Sequence, residues 1–197
     1  MPKVSDEYRL ARRDEIVDVA VRCFTRNGFT RTSIADLVSE SGLSAGAIYG
    51  NFPGGKDEIF VAAATRILQT RRIELDERRR EDGILSPGAT MATLISGIRG
   101  EKFSAILPQL WGEAAVDPGI RELVRGVFVE LRETIIGRLA EWAAEHPDRI
   151  GDDPRAWAER TAPVILSVAP GFILQQTLLD DFDVDGYLAA LPEVLPH

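Results

Sequence analysis

Residues 32–52 (Thr32-Ser33-Ile34-Ala35-Asp36-Leu37-Val38-Ser39-Glu40-Ser41-Gly42-Leu43-Ser44-Ala45-Gly46-Ala47-Ile48-Tyr49-Gly50-Asn51-Phe52) constrain the fold of this chain more than any other stretch. Ser33 is placed to cap a helix, with Asp36 three residues on as the partner of a capping box. Ile34, Leu37 and Val38 fall at i, i+3 and i+4 and give that helix one apolar face. Gly42 suits the left-handed conformation that ends a helix, Leu43 turns back into the core, and Ser44 caps the next helix. Two short helices joined by a glycine-containing turn make a helix-turn-helix, whose second helix enters the DNA major groove. DNA binding is therefore the leading functional expectation.

Charge distribution agrees with that reading better than total charge does. The net charge is −8, which argues against a protein that coats nucleic acid indiscriminately. Residues 1–56 hold eight basic and seven acidic groups, whereas the rest of the chain holds 15 and 24. A near-neutral head on an acidic body lets one end approach phosphate while the rest is repelled. The alternative is that the arginines only keep the first helix solvated.

Nearly every other segment has helical spacing, and no alternating strand pattern of useful length appears. Ile16, Val19, Ala20, Cys23 and Phe24 form the buried stripe of a first helix that ends at Gly28. Pro53-Gly54-Gly55 breaks the chain before a long helix from about Lys56 to Glu81. Linkers are expected at 83–88 and 146–154, and a kink or a split at Pro108. A helix start is expected at Asp117-Pro118 and an interruption at Pro170-Gly171. The reading is all-α: an N-terminal three-helix head with a helix-turn-helix at 1–55, then a larger helical body at 56–197. No run approaches the eighteen or so apolar residues of a membrane span, and the first residues lack a signal peptide's apolar stretch, so a cytoplasmic protein is expected. Cys23, the only cysteine, reads as a small buried thiol.

The motif Thr32…Ile34-Ala35…Ser41-Gly42-Leu43-Ser44…Gly46…Ile48-Tyr49-x-x-Phe52…Lys56, preceded by Cys23-Phe24 and Asn27-Gly28-Phe29, resembles the DNA-binding head of the TetR (tetracycline-repressor-like) transcriptional regulators. The resemblance covers about residues 8–60, with a faint echo in Gly171-Phe172-Ile173-Leu174-Gln175. It implies a homodimeric repressor whose heads read a palindromic double-stranded operator and whose bodies carry a pocket for a small-molecule effector. It also implies Ser44–Asn51 as the recognition helix, with Gly46 as a close backbone approach, Tyr49 as a backbone-contacting aromatic and Lys56 as a phosphate contact. This chain departs from the family pattern at Ala45, where lysine is frequent, and at Gly50-Asn51, where larger groups are common. The turn before Lys56 is also one residue longer. The first two departures remove long side chains from the reading helix.

From the residues themselves, Tyr49 either donates its hydroxyl to a phosphate or is an ordinary half-buried aromatic. Asn51 either pairs with adenine or finishes its helix. Thr32 and Ser33 lie where a helix N-terminus favours anions, and Ala45 would meet bases with its methyl group. Arg9, Arg12 and Arg13 either track the DNA backbone or are solvated. A pocket for an apolar or aromatic effector needs large side chains and a few polar groups, for which Phe103, Gln109, Trp111, Phe128, Trp142, Phe172, Gln175 and Gln176 are candidates beside plain core packing. By analogy with the family, Val164, Ile165, Val168, Leu174, Leu178, Leu188 and Leu191 form a two-fold subunit interface. An enzyme is not expected: the two histidines, His146 and His197, belong to no nucleophile, metal or phosphate-binding constellation, and no catalytic residue, metal site or cofactor is expected. A helical interaction module that does not bind DNA is the competing class.

Overall fold

A computed structural model of the chain describes residues 6–99, 104 and 106–196. The order is α1 (Asp6–Asn27), α2 (Ile34–Ser41), α3 (Ala45–Asn51), α4 (Gly55–Asp82), α5 (Pro87–Arg99), α6 (Leu107–Val116), α7 (Pro118–Ala144), α8 (Pro147–Ile150), α9 (Pro154–Leu166), α10 (Val168–Leu178) and α11 (Val184–Val194). No strand occurs among the described residues, so the fold is all-α with an N-terminal helix-turn-helix.

The helix boundaries follow local chemistry. Asp6 and Glu7 open α1 and Arg26 closes it, each with the sign that favours its end of the helix dipole. Asp117 Oδ1 accepts from the N–H of Gly119 at 2.7 Å and of Ile120 at 3.1 Å, and Pro118 begins α7 as its spacing foretells. Two prolines behave otherwise than expected. Pro108 lies in the first turn of α6, so it starts the helix rather than kinking it. Pro170 lies in the first turn of α10, and the break falls earlier, at Ser167. The physical reason is shared: first-turn N–H groups have no acceptor within the helix, so a proline there loses nothing.

The chain divides into two compact units. One comprises Met1–Ile67 with Ala105–Val124, the other Leu68–Ser104 with Arg125–His197. The boundary expected at 55/56 coincides with the start of α4, but the first unit continues along α4 to Ile67 and takes in α6. Its core is built from Ile16, Ala20, Cys23 and Phe24 of α1, Leu37 of α2, Ile48 of α3, Phe52, and Ile59, Phe60 and Ala63 of α4, all at most 2% exposed. Phe24, Phe29 and Phe60 meet edge-on and tilted, at 5.0–6.4 Å between centroids.

In the second unit α5 packs against α11 and α10, and α9 against α10 and α8. Gly88 at the start of α5 allows a close approach of α11: a Cβ there would stand 2.9 Å from Pro192 Cα and 3.2 Å from the Leu191 carbonyl oxygen. The far half of α4 is tied to α7 by ion pairs, Arg138 with Asp76 and Arg79 with Glu141 at 3.2 Å. The stretch Pro154–Leu178 is long and apolar enough by composition to cross a membrane. It is divided at Ser167, however, and Ala162, Ile165, Leu166, Phe172 and Ile173 on its two halves are buried within the unit.

Candidate nucleic-acid interface

The first unit brings α1, α2 and α3 against one another, with α2 and α3 joined by Gly42-Leu43-Ser44. Local devices fix both ends of α2 and the start of α3. The Ser33 hydroxyl accepts from the Asp36 N–H at 3.2 Å, and Asp36 Oδ2 accepts from the Ser33 N–H at 2.7 Å, completing the capping box. Hydrogen bonds from Ser33 hold the Asp36 carboxyl below its ordinary range. Gly42 adopts φ +70°, and its N–H closes α2 on the Val38 carbonyl at 3.0 Å. Ser44 Oγ accepts from the Ala47 N–H at 3.1 Å and starts α3. These caps lie where the sequence places them.

α3 buries Ile48 completely and leaves Ser44, Ala45, Gly46, Tyr49 and Gly50 exposed. Its open face therefore consists of short side chains and one aromatic ring, Tyr49, at 49% exposure. Such a helix can approach another surface closely with its backbone. Tyr49 lies over the following turn, its ring 3.4 Å from where a Cβ on Gly55 would stand.

Other expected contacts are engaged inside the head. Thr32 is 1% exposed, and its hydroxyl donates to the Gly28 carbonyl at 2.7 Å, so it ties down the loop after α1 and does not face a phosphate. A Thr32→Val chain is expected to lose about 1–2 kcal/mol of head stability by leaving that carbonyl without its donor. It should keep the salt dependence of DNA binding, which a melt and a salt titration would check. The Ser33 hydroxyl proton goes to Asp36 at 2.7 Å. Lys56 Nζ donates to the carbonyls of Phe29 at 3.1 Å and Thr30 at 3.3 Å and lies 4.5 Å from the Phe29 ring centroid. Two of its three donors thus serve the α1–α2 loop. Asn51 turns its amide back onto the Ala47 carbonyl at 2.9 Å, finishing the helix rather than projecting from it.

The arginines of the head are mostly neutralised locally. Arg12 pairs with Glu15 at 2.7 Å, and Arg22 and Arg26 pair with Glu40 at 3.4 and 3.0 Å, which holds the Glu40 carboxyl low. Arg9 and Arg31 are exposed and pair with no carboxylate among the described residues. Arg13 turns inward onto Phe52 and the end of α3, a role unforeseen in the sequence because its partners lie some forty residues away. Glu58 joins it there, again without a local signal.

The residues expected to line an effector pocket are divided between the two units. Phe103 lies outside the described residues. Gln109 and Trp111 belong to the first unit, where Gln109 rests on Gly28 and donates to Glu113 at 3.2 Å. Trp142 is buried, stacked on His146 at 4.2 Å and near Trp157 at 5.8 Å. Phe172 is buried against Phe182 and Tyr187. Phe128, Gln175 and Gln176 are exposed. Of the expected interface residues, Ile165 and Leu191 are buried in the second unit's own core and offer no surface to a partner; neighbouring helices of the same chain cover them. Val164, Leu174 and Leu178 are exposed, and Val168 and Leu188 half-buried.

Residues 16–63 match the family described as bacterial regulatory proteins, tetR family. Over 64 residues the chain is 42% identical to the HTH-type transcriptional repressor Rv1474c of Mycobacterium tuberculosis, covering 32% of this chain and 34% of that protein. It thus spans about a third of that relative's length. A longer match, 27% identical over 144 residues, covers 73% of this chain and 72% of the HTH-type transcriptional repressor AcnR of Corynebacterium jeikeium. Among solved structures, Salmonella enterica GusR superposes with a TM-score of 0.69 at 20% identity, over 98% of each chain, a likeness of fold.

Proposed function

Because this chain belongs to the tetR family of bacterial regulatory proteins, we propose that it is a DNA-binding transcriptional regulator, a repressor that leaves its operator when a small apolar or aromatic effector binds. The observation that carries the reading is the open face of α3. A capped two-turn helix presents Ser44, Ala45, Gly46, Tyr49 and Gly50 to solvent, while the fully buried Ile48 and Phe52 anchor it in the core of the first unit. No acidic side chain lies on that helix. A smooth, uncharged helix of this kind enters a major groove without repelling the phosphates on either side.

Two such heads in a two-fold homodimer would read a palindrome in major grooves about one helical turn apart. The exposed apolar groups of α9 and α10 (Val164, Leu174 and Leu178) suit the interface between copies, the buried side of those helices being already taken. Tyr49, Arg9 and Arg31 supply phosphate contacts, and Ala45, Gly46 and Asn51 lie nearest the bases. The effector acts from the helical body, and it shifts DNA affinity only insofar as it binds the released state more tightly than the bound one.

Two substitutions separate positioning from reading. Tyr49→Phe should weaken every duplex alike, by about 1 kcal/mol, the scale of one hydrogen bond. Asn51→Ala should change which duplex is preferred, because an amide released from Ala47 can pair with adenine, a contact worth about 1–3 kcal/mol in discrimination. The experiment that tests the function is fluorescence anisotropy of the purified chain on DNA from upstream of its own gene, across a salt series. Saturable binding that survives competitor DNA and weakens linearly in log salt supports the reading. No binding at low salt would leave a helical interaction protein without DNA affinity.

A further inference from the structure

We propose that Arg13 is a positioning residue for DNA reading: from α1 it fixes the C-terminal end of α3 and the glycine turn after it, and so sets the angle at which α3 meets the groove. The inference rests on the DNA-binding reading above.

α3 is only seven residues long, and Ile48 is its one fully buried side chain. A helix so short, held on one side by a single residue, takes its direction from how its ends are fastened. Ser44 fastens the first end. At the second, the Arg13 guanidinium lies 3.9 Å from the centroid of the fully buried Phe52 ring and donates to the Asn51 carbonyl. That carbonyl belongs to the last turn of α3, where no further helical N–H is available to it. The same guanidinium reaches Glu58 Oε1 at 3.4 Å, and Glu58 Oε2 accepts from the Gly54 N–H at 2.9 Å. Arg13 and Glu58 therefore bracket the turn Phe52–Gly55, with the Asn51 carbonyl at one end and the Gly54 N–H at the other. This is the turn that is one residue longer than the family pattern. It closes with the Gly55 N–H on the Phe52 carbonyl at 2.9 Å, and Gly55 takes φ +64°, which a side chain would resist.

The magnitudes point to orientation rather than stability. Arg13 and Glu58 are 38% and 37% exposed in their side chains, and an ion pair so open to water contributes little to holding a fold. What the planar guanidinium adds is direction, since its stack on Phe52 and its bond to a carbonyl fix two axes at once. Direction matters here because Ala45, Gly46 and Gly50 cannot reach bases across a gap. A small tilt of α3 would break every short contact together.

The test uses the full chain and two probes: the duplex that the wild-type protein selects from a randomised library of about 30 base pairs, spanning two half-sites, and a shuffled duplex of the same composition. Arg13→Ala should raise the Kd on the selected duplex about tenfold, leave the shuffled duplex within about twofold and keep the salt slope. Arg13→Lys keeps the charge but loses the planar fork, so it should show the same pattern at about threefold. It carries the test if the alanine chain does not fold. Equal weakening on both duplexes, with a salt slope smaller by about one, would make Arg13 a phosphate contact and overturn the proposal. A lowered melting temperature with unchanged preference would also overturn it, leaving a structural role only. If the wild-type chain selects no sequence, the DNA reading falls and the role of Arg13 falls with it.

Discussion

Phe24→Ala is expected to destabilise the head by about 3–5 kcal/mol, the range for removing a buried aromatic side chain. Phe24 is completely buried and touches two other rings, Phe29 at 5.3 Å and Phe60 at 6.4 Å. Its loss leaves a cavity bounded by α1, the α1–α2 loop and the first turns of α4. Those elements cannot collapse into it easily, because the Thr32 hydroxyl and Lys56 Nζ both hold the loop by its carbonyls. A domain is stable by only about 5–15 kcal/mol, so this single change should consume much of the reserve of the first unit. The measurement is a urea titration read by amide exchange of α2 and α3. Protection there should collapse at lower urea, and sequence-specific DNA binding should disappear with it. Leu174→Ala, at a residue 41% exposed in the second unit, should leave the exchange protection of α2 and α3 near wild type. A Phe24→Ala chain as stable as wild type would mean that the ring cluster does not hold the head together.

Gly88→Ala should destabilise the second unit by about 1–3 kcal/mol, the usual cost of forcing a methyl group into a filled space. The atoms it would meet are backbone: Pro192 Cα at 2.9 Å, the Leu191 carbonyl oxygen at 3.2 Å and Pro192 N at 3.3 Å. Backbone cannot swing aside as a long side chain does, so α5 and α11 must separate, and Leu191, Thr90 and Met91 lose packing. In an ordinary helix the same exchange stabilises, by about 1 kcal/mol, because alanine is the better helix former. Gly126 on α7 provides the control, with nothing near its missing Cβ. The two substitutions should shift the urea midpoint in opposite directions. A rise for Gly88→Ala would show that α11 does not press on α5.

The helix-turn-helix was legible because its signals are local. A capping serine, an apolar stripe at helical spacing and a glycine able to adopt φ +70° lie within four residues of the groups they act on. Asp117-Pro118 and the completed capping box at Ser33 and Asp36 belong to the same class. Roles that depend on distant partners were not legible. Lys56 carries the charge the family motif calls for, yet the loop after α1 takes two of its donors. Nothing adjacent to Ile165 or Leu191 distinguishes them from Val164 or Leu178, since all four are apolar and helical. Only their burial separates core from open surface.

The sequence by itself determined the helical class, the caps, the turn between α2 and α3, and the family of the head, because each rests on spacings of a few residues that backbone sterics and short-range hydrogen bonds enforce. The tertiary structure alone decided which polar groups remain available to a partner and which apolar ones face outward. Those outcomes depend on which distant carbonyl, ring or carboxylate arrives first at a donor such as Arg13 or Lys56, and the pairing of residues some thirty to forty positions apart is settled by packing.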